Sequence, residues 1–124
     1  MKTPPFLKPP LVLNSEHFLP IIQERRLRQV IEIIDSDPAS SVGDLAEKVS
    51  LSPAHLQRLF KRQTGIQLGY LIVEWRLHKA AELLKSTNLS IKEVAHRVGY
   101  QHHSSFVRAF ERRFAQPPKA FRNQ

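Results

Sequence analysis

Two short sets of side chains, fifty residues apart, carry the chemistry in this 124-residue chain. The first is Ala54, His55, Gln57 and Arg58; the second is His103, Ser104, Val107 and Arg108. Arg58 and Arg108 occupy matching places in them. A guanidinium offers two parallel donors that fit the edge of guanine, and the carboxamide of Gln57 fits adenine in the same two-pronged way. An aliphatic group such as Val107 suits the thymine methyl. Behind each set stands a basic pair, Lys61 with Arg62 and Arg112 with Arg113. Such residues suit phosphate oxygens, which hold a protein in register without reading sequence. The plainer use of Arg58 and Arg108 is an ion pair that staples the fold. Their equivalence among polar neighbours favours an outward role.

Other chemistries find little support. The chain has no cysteine, which removes disulfides, thiolate zinc sites and thiol nucleophiles together. His17, His55, His78, His96, His102 and His103 form no i, i+4 pair backed by carboxylates, so neither a metal, a cofactor nor an enzymatic activity is expected. No apolar run approaches the roughly 18 residues of a membrane span. The stretch MKTPPFLKPP at the N-terminus lacks the apolar core of a signal peptide. A cytoplasmic protein without a membrane partner, associated with the nucleoid, is the expectation. The charge is lopsided. Residues 1–51 hold 6 Lys/Arg and 7 Asp/Glu, whereas residues 52–124 hold 13 and 4, a net of +9. A positive field of that size calls for a polyanionic partner.

The elements that must position these residues repeat. Asp44, Leu45, Ala46, Lys48 and Val49 are matched by Glu93, Val94, Ala95, Arg97 and Val98, all 49 residues on. One inserted residue then shifts the register to 50, pairing Leu56 with Phe106, Phe60 with Phe110 and Leu71 with Phe121. A fixed period is a statement about architecture. In each copy a short helix is capped by serine, Ser41 before residues 42–49 and Ser90 before residues 91–98. A tight turn leads into a second helix, from Ser52–Pro53 to Thr64 with Gly65 behind it, and from His102 to Phe114. The helix N-termini at Val42 and Ile91 offer backbone amides to phosphate, so Ser41 and Ser90 join the phosphate candidates. Pro117 and Pro118 close the last long helix and open a short turn through Phe121 and Arg122.

Between the copies runs LGYLIVEWRLHKAAELLK, residues 68–85, rich in good helix formers. Glu74, His78, Glu82 and Lys85 make a polar stripe along it, and apolar residues fill most of the rest, so it is expected to pack on two sides. Arg76 and Lys79 are placed to reach a phosphate, with a buried ion pair the alternative for Arg76. A further helix is expected over residues 21–35. Residues 1–20, with five of the nine prolines, read as an extended arm or linker. The fold is therefore all-α, with about seven helices. Residues 1–20 form the arm, 21–66 the first helix-turn-helix unit, 67–86 the linker helix and 87–124 the second unit.

The stretches LAEKVSLSPAHLQRLFKRQTG (residues 45–65) and LSIKEVAHRVGYQHHSSFVRAFERRF (residues 89–114) carry a family likeness. Arg76, Leu77, Ala80, Leu83 and Leu84 stand between them, with Pro118, Phe121 and Arg122 behind. They resemble the DNA-binding domain of the AraC/XylS family of bacterial transcription regulators. The resemblance implies sequence-specific binding of double-stranded DNA through two successive major grooves. It also implies RNA polymerase as a partner, with activation the commoner outcome, and an N-terminal effector or dimerisation domain in a larger protein. A complete stand-alone activator is the alternative. A basic helical RNA-binding or protein-interaction module is the alternative of another class. Departures from the family pattern are Ala115 in place of glycine, Tyr70 one residue early, and His102 and His103 at the second recognition helix.

Overall fold

Among the described residues, four of the helices start at a side-chain cap, and another starts at a proline whose missing amide needs no partner. A computed structural model describes residues 22–124, so the proline-rich arm over residues 1–20 lies outside the described residues. Helix α1, Arg25–Ser36, begins at Glu24, whose carboxylate accepts from the Leu27 amide at 3.1 Å. The expected start near residue 21 is thus too early. Ile22 is buried but not helical, and its carbonyl accepts from Arg28 at 3.1 Å.

Helices α2 (Val42–Lys48) and α5 (Ile91–Arg97) open with the same reciprocal cap. The Ser41 hydroxyl accepts from the Asp44 amide at 3.0 Å, and the Asp44 carboxylate accepts from the Ser41 amide at 3.1 Å. Ser90 and Glu93 repeat both bonds at 3.0 and 3.1 Å. Each cap satisfies two otherwise orphaned donors. The turn after each helix holds a residue in the left-handed region, Ser50 (φ 59°) and Gly99 (φ 107°). These positions are 49 apart, as the repeat requires.

Helices α3 (Pro53–Thr64) and α6 (His103–Phe114) end alike. Gly65 (φ 77°) and Ala115 (φ 64°) are left-handed caps whose amides donate to Lys61 O and Glu111 O, both at 2.8 Å. Then come α4, Leu68–Ser86, and α7, Pro118–Arg122. The short α7 is the counterpart of the first turn of α4, fifty residues on. These seven helices are all the regular structure among the described residues.

Helix α4 packs on two sides, but the division runs along its length. Leu68, Leu71, Ile72 and Trp75 complete a first core with α1, α2 and α3 around Leu27, Ile31, Leu45, Leu56 and Phe60. Leu77, Ala80 and Leu84 complete a second with Val94, Ala95, Val98, Phe106 and Phe110. The second core is the aromatic one. Phe110 lies 4.6 Å from Phe114 and 5.3 Å from Phe121, centroid to centroid, and Tyr100 lies 5.5 Å from Phe106. Small Ala46 and Ala95, both buried, let the short helices approach their neighbours closely.

The polar stripe of α4 is covered at Glu74 and His78 and exposed at Glu82 and Lys85. Glu74 is 4% exposed and meets Arg113 of α6, while Lys85 reaches the Gln124 carbonyl at 3.1 Å and lies 5.0 Å over the Phe121 ring. Glu74, His78 and Lys85 are the stripe residues that the second unit meets.

Candidate nucleic-acid interface

Helix α3 buries Leu56, Leu59 and Phe60, which turns the opposite face outward. Ala54, His55, Gln57 and Arg58 are all exposed there, followed by Lys61 and Arg62 one turn on. Pro53 and the Ser52 cap, which accepts from the His55 amide at 3.1 Å, fix where this face begins. Helix α6 buries Phe106 and Phe110 and exposes His103, Ser104, Arg108 and Arg112. Val107 differs from the expectation. It is half-buried and leans on the second core, so only part of its surface faces out.

Arg58 and Arg108 make no hydrogen bond or ion pair among the described residues. The stapling alternative therefore has no partner to staple to. Both guanidinium groups stand in water with their donors uncommitted, which is the state in which a two-pronged donor can meet a base edge. Lys61 is lightly engaged, donating to the Gly65 carbonyl at 3.0 Å across an exposed helix end.

The other basic residues divide sharply. Arg113, expected at a phosphate, is turned inward: its Nε lies 2.9 and 3.0 Å from the two oxygens of Glu74, and its Nη2 lies 3.3 Å from the His78 ring. A guanidinium held in this way has less of its donor set left for a phosphate than the sequence reading expects. Burial pushes the Glu74 carboxyl up, but hydrogen bonds from His78 and Arg113, with their charge, hold it below its ordinary value. Arg76 is neither at a surface phosphate nor paired with an acid. It donates to the carbonyls of Pro38 (2.8 Å), Ala39 (3.3 Å) and Ser40 (3.2 Å). Lys79 pairs with Glu82 at 3.4 Å.

The hydroxyls of Ser41 and Ser90 are consumed by their own caps, each with a carboxylate beside it. Hydrogen bonds from Ser41 hold the Asp44 carboxyl below its usual value, the backbone bond first, and Ser90 does the same to Glu93. An ionised acid at each helix start competes with an incoming phosphate.

Two grooves lie beside the residues expected from sequence. One, of about 620 Å³, runs between Arg58 and Lys61 on α3 and Gln67 and Gly69 at the start of α4. The other, of about 650 Å³, lies beside His103 and is lined by Lys92, His96, Arg97 and Gln101. Lys92 and Arg97 face out from α5. The excess of Lys and Arg after residue 51 was their only signal in the sequence, since α5 reads as a supporting helix.

Among the described residues no group of three or more His, Cys, Asp or Glu could hold a metal ion. No helix there is long and apolar enough to cross a membrane.

A family described as a helix-turn-helix domain matches residues 45–124. The HTH-type transcriptional regulator YfiF of Bacillus subtilis is 41% identical over 80 residues, covering 64% of this chain and 25% of that protein. The Msm operon regulatory protein of Streptococcus mutans is 33% identical over 100 residues, covering 79% of this chain and 36% of that protein. The chain thus spans about a quarter to a third of the length of these curated relatives. Among solved structures, the C-terminal domain of AraT, a response regulator from Geobacillus stearothermophilus, superposes with a TM-score of 0.71 at 34% identity. That likeness covers 81% of this chain and 85% of the other.

Proposed function

The chain belongs to the AraC/XylS family of helix-turn-helix transcription regulators, and from that premise we propose that it reads two successive major-groove segments of one DNA duplex. Helix α3 reads one block through Ala54, His55, Gln57 and Arg58. Helix α6 reads the other through His103, Ser104, Arg108 and the outer edge of Val107. Lys61, Arg62 and Arg112 hold phosphates. The single observation that carries this is the pair Arg58 and Arg108. Equivalent in the repeat, exposed, and without an internal partner among the described residues, they are donors prepared for something outside the chain.

The length of the linker helix is of the order that the two-groove reading needs. Helix α4 has 19 residues, roughly 28 Å at 1.5 Å each, and successive major-groove faces lie about 34 Å apart. A monomer joined by this helix has the reach to engage both. In a larger regulator, an effector or dimerisation domain and RNA polymerase are the further partners. The greater length of the curated relatives supports that reading.

Selection of bound duplexes from a random pool, followed by footprinting, tests it. Protection of roughly 15 to 20 base pairs in two blocks about one helical turn apart is expected. A single protected block of four or five base pairs, or equal affinity for RNA, would overturn it.

A further inference from the structure

Arg76 occupies the point of α4 where one core gives way to the other. Its neighbour Trp75 belongs to the first cluster and Leu77 to the second. Its guanidinium lies against the loop joining α1 to α2, donating to Pro38 O at 2.8 Å, Ser40 O at 3.2 Å and Ala39 O at 3.3 Å. The turn of the second unit closes on the same spot. A Cβ added at Gly99 would fall 2.9 Å from the Ala39 Cα and 2.9 Å from the Arg76 Nε. One side chain therefore touches three carbonyls of the first unit and the α5–α6 turn of the second.

We infer that Arg76, with Gly99 packed on it, is a positioning residue that fixes how α3 and α6 are set relative to each other, and so which spacing between the two base blocks the domain accepts. The inference rests on the two-groove reading. Each unit packs on a different half of one helix, and a helix alone leaves each free to rock about it. Adding one base pair between blocks shifts them by about 3.4 Å and turns them by about 35°. A domain that tolerates such a change must be loose at the junction; one that rejects it must be locked there. The fork of an arginine can span several carbonyls at once, whereas lysine presents a single compact ammonium. Glycine is needed at position 99 twice over, because its φ is +107° and because a methyl group would strike the loop.

The test uses a duplex selected by the native protein and versions with one base pair added or removed between its two blocks. Binding is measured for the native chain, Arg76→Gln, Arg76→Lys and Gly99→Ala, with thermal unfolding of each. The native chain should lose about tenfold or more on either altered spacing, comparable to one mismatched base pair. Folded variants should discriminate between spacings by no more than about threefold while keeping their base preference inside each block. If Arg76→Gln unfolds below the assay temperature, Arg76→Lys carries the comparison. A native chain indifferent to spacing overturns the two-groove reading, and the junction's role with it. A spacing-sensitive native chain whose folded variants are equally sensitive, or weaker on all spacings in the same proportion, overturns the positioning role alone.

Discussion

The Nε of Arg113 lies 2.9 and 3.0 Å from the two carboxylate oxygens of Glu74, tying the last turn of α6 to the middle of α4. Among the described residues, no ion pair joins α3 to α4 in the first unit. Fifty residues before Arg113 stands Gln63, which is exposed. Two copies of one plan are thus anchored differently, the first by a mostly aliphatic core with Phe60 and Trp75, the second by a core rich in phenylalanine and a half-buried ion pair.

Removing one member of that pair strands the other. Arg113→Ala or Glu74→Ala should each destabilise the chain by about 3 kcal/mol, because an unpaired buried charge costs more than the pair contributes. Replacing both by leucine should recover most of the loss. Urea denaturation of the three variants checks this, and a double replacement no better than the worse single one would refute it.

The same carboxylate sets an acid limit. Glu74 titrates below its ordinary 4.5 in the folded chain, so it binds fewer protons folded than unfolded. Its stabilisation is complete above the unfolded value and is lost as pH falls through the lowered one. Glu74→Gln should be less stable near neutrality and show a flatter decline between about pH 5 and the acid limb. Denaturation midpoints across that range decide it.

Ala115 holds a left-handed cap at φ 64° where its counterpart Gly65 has φ 77°. A side chain in that region costs about 1 kcal/mol or more. Ala115→Gly should raise stability by up to about 1 kcal/mol, partly offset by a more flexible unfolded chain. Gly65→Ala should lower it by about as much. A rise of several degrees in melting temperature for the first and a fall for the second are expected.

Reading and gripping separate by substitution. Arg108→Ala should cost about 1 to 3 kcal/mol on the preferred duplex and relax one or two base positions in one block only. Arg58→Ala should do the same in the other block. Arg112→Ala should weaken all duplexes alike and reduce the slope of log K against log salt by at most about one unit. All three should fold normally, since none of these side chains has a partner among the described residues. If Arg108→Ala unfolds readily yet keeps its base preference, the residue is structural and the assignment fails.

The sequence by itself determined the helices, their order, the outward face of α3 and, apart from Val107 and Arg113, that of α6. These follow from local rules: serine caps, Pro53 in a first turn, Gly65 after a last one, and apolar residues at helical spacing, with the caps at Ser41 and Ser90 and the apolar pattern written twice at a period of 49 then 50. What only the tertiary structure decided is the fate of long charged side chains. Arg58, Arg76, Arg108 and Arg113 look alike in a sequence, because a guanidinium on a flexible stem can be satisfied by water, a carboxylate, a carbonyl or a base. Which it meets depends on residues distant in the chain. Arg113 finds Glu74 39 residues away, and Arg76 finds Pro38 38 residues away. The reach of α1 was misjudged for a related reason: Ile22 carries the apolar signal of a helix, but the Glu24 cap begins the helix after it. Periodicity places a side chain on a face. Only packing between distant segments decides what that face meets, and here it turned two of the four arginines inward and left two exposed.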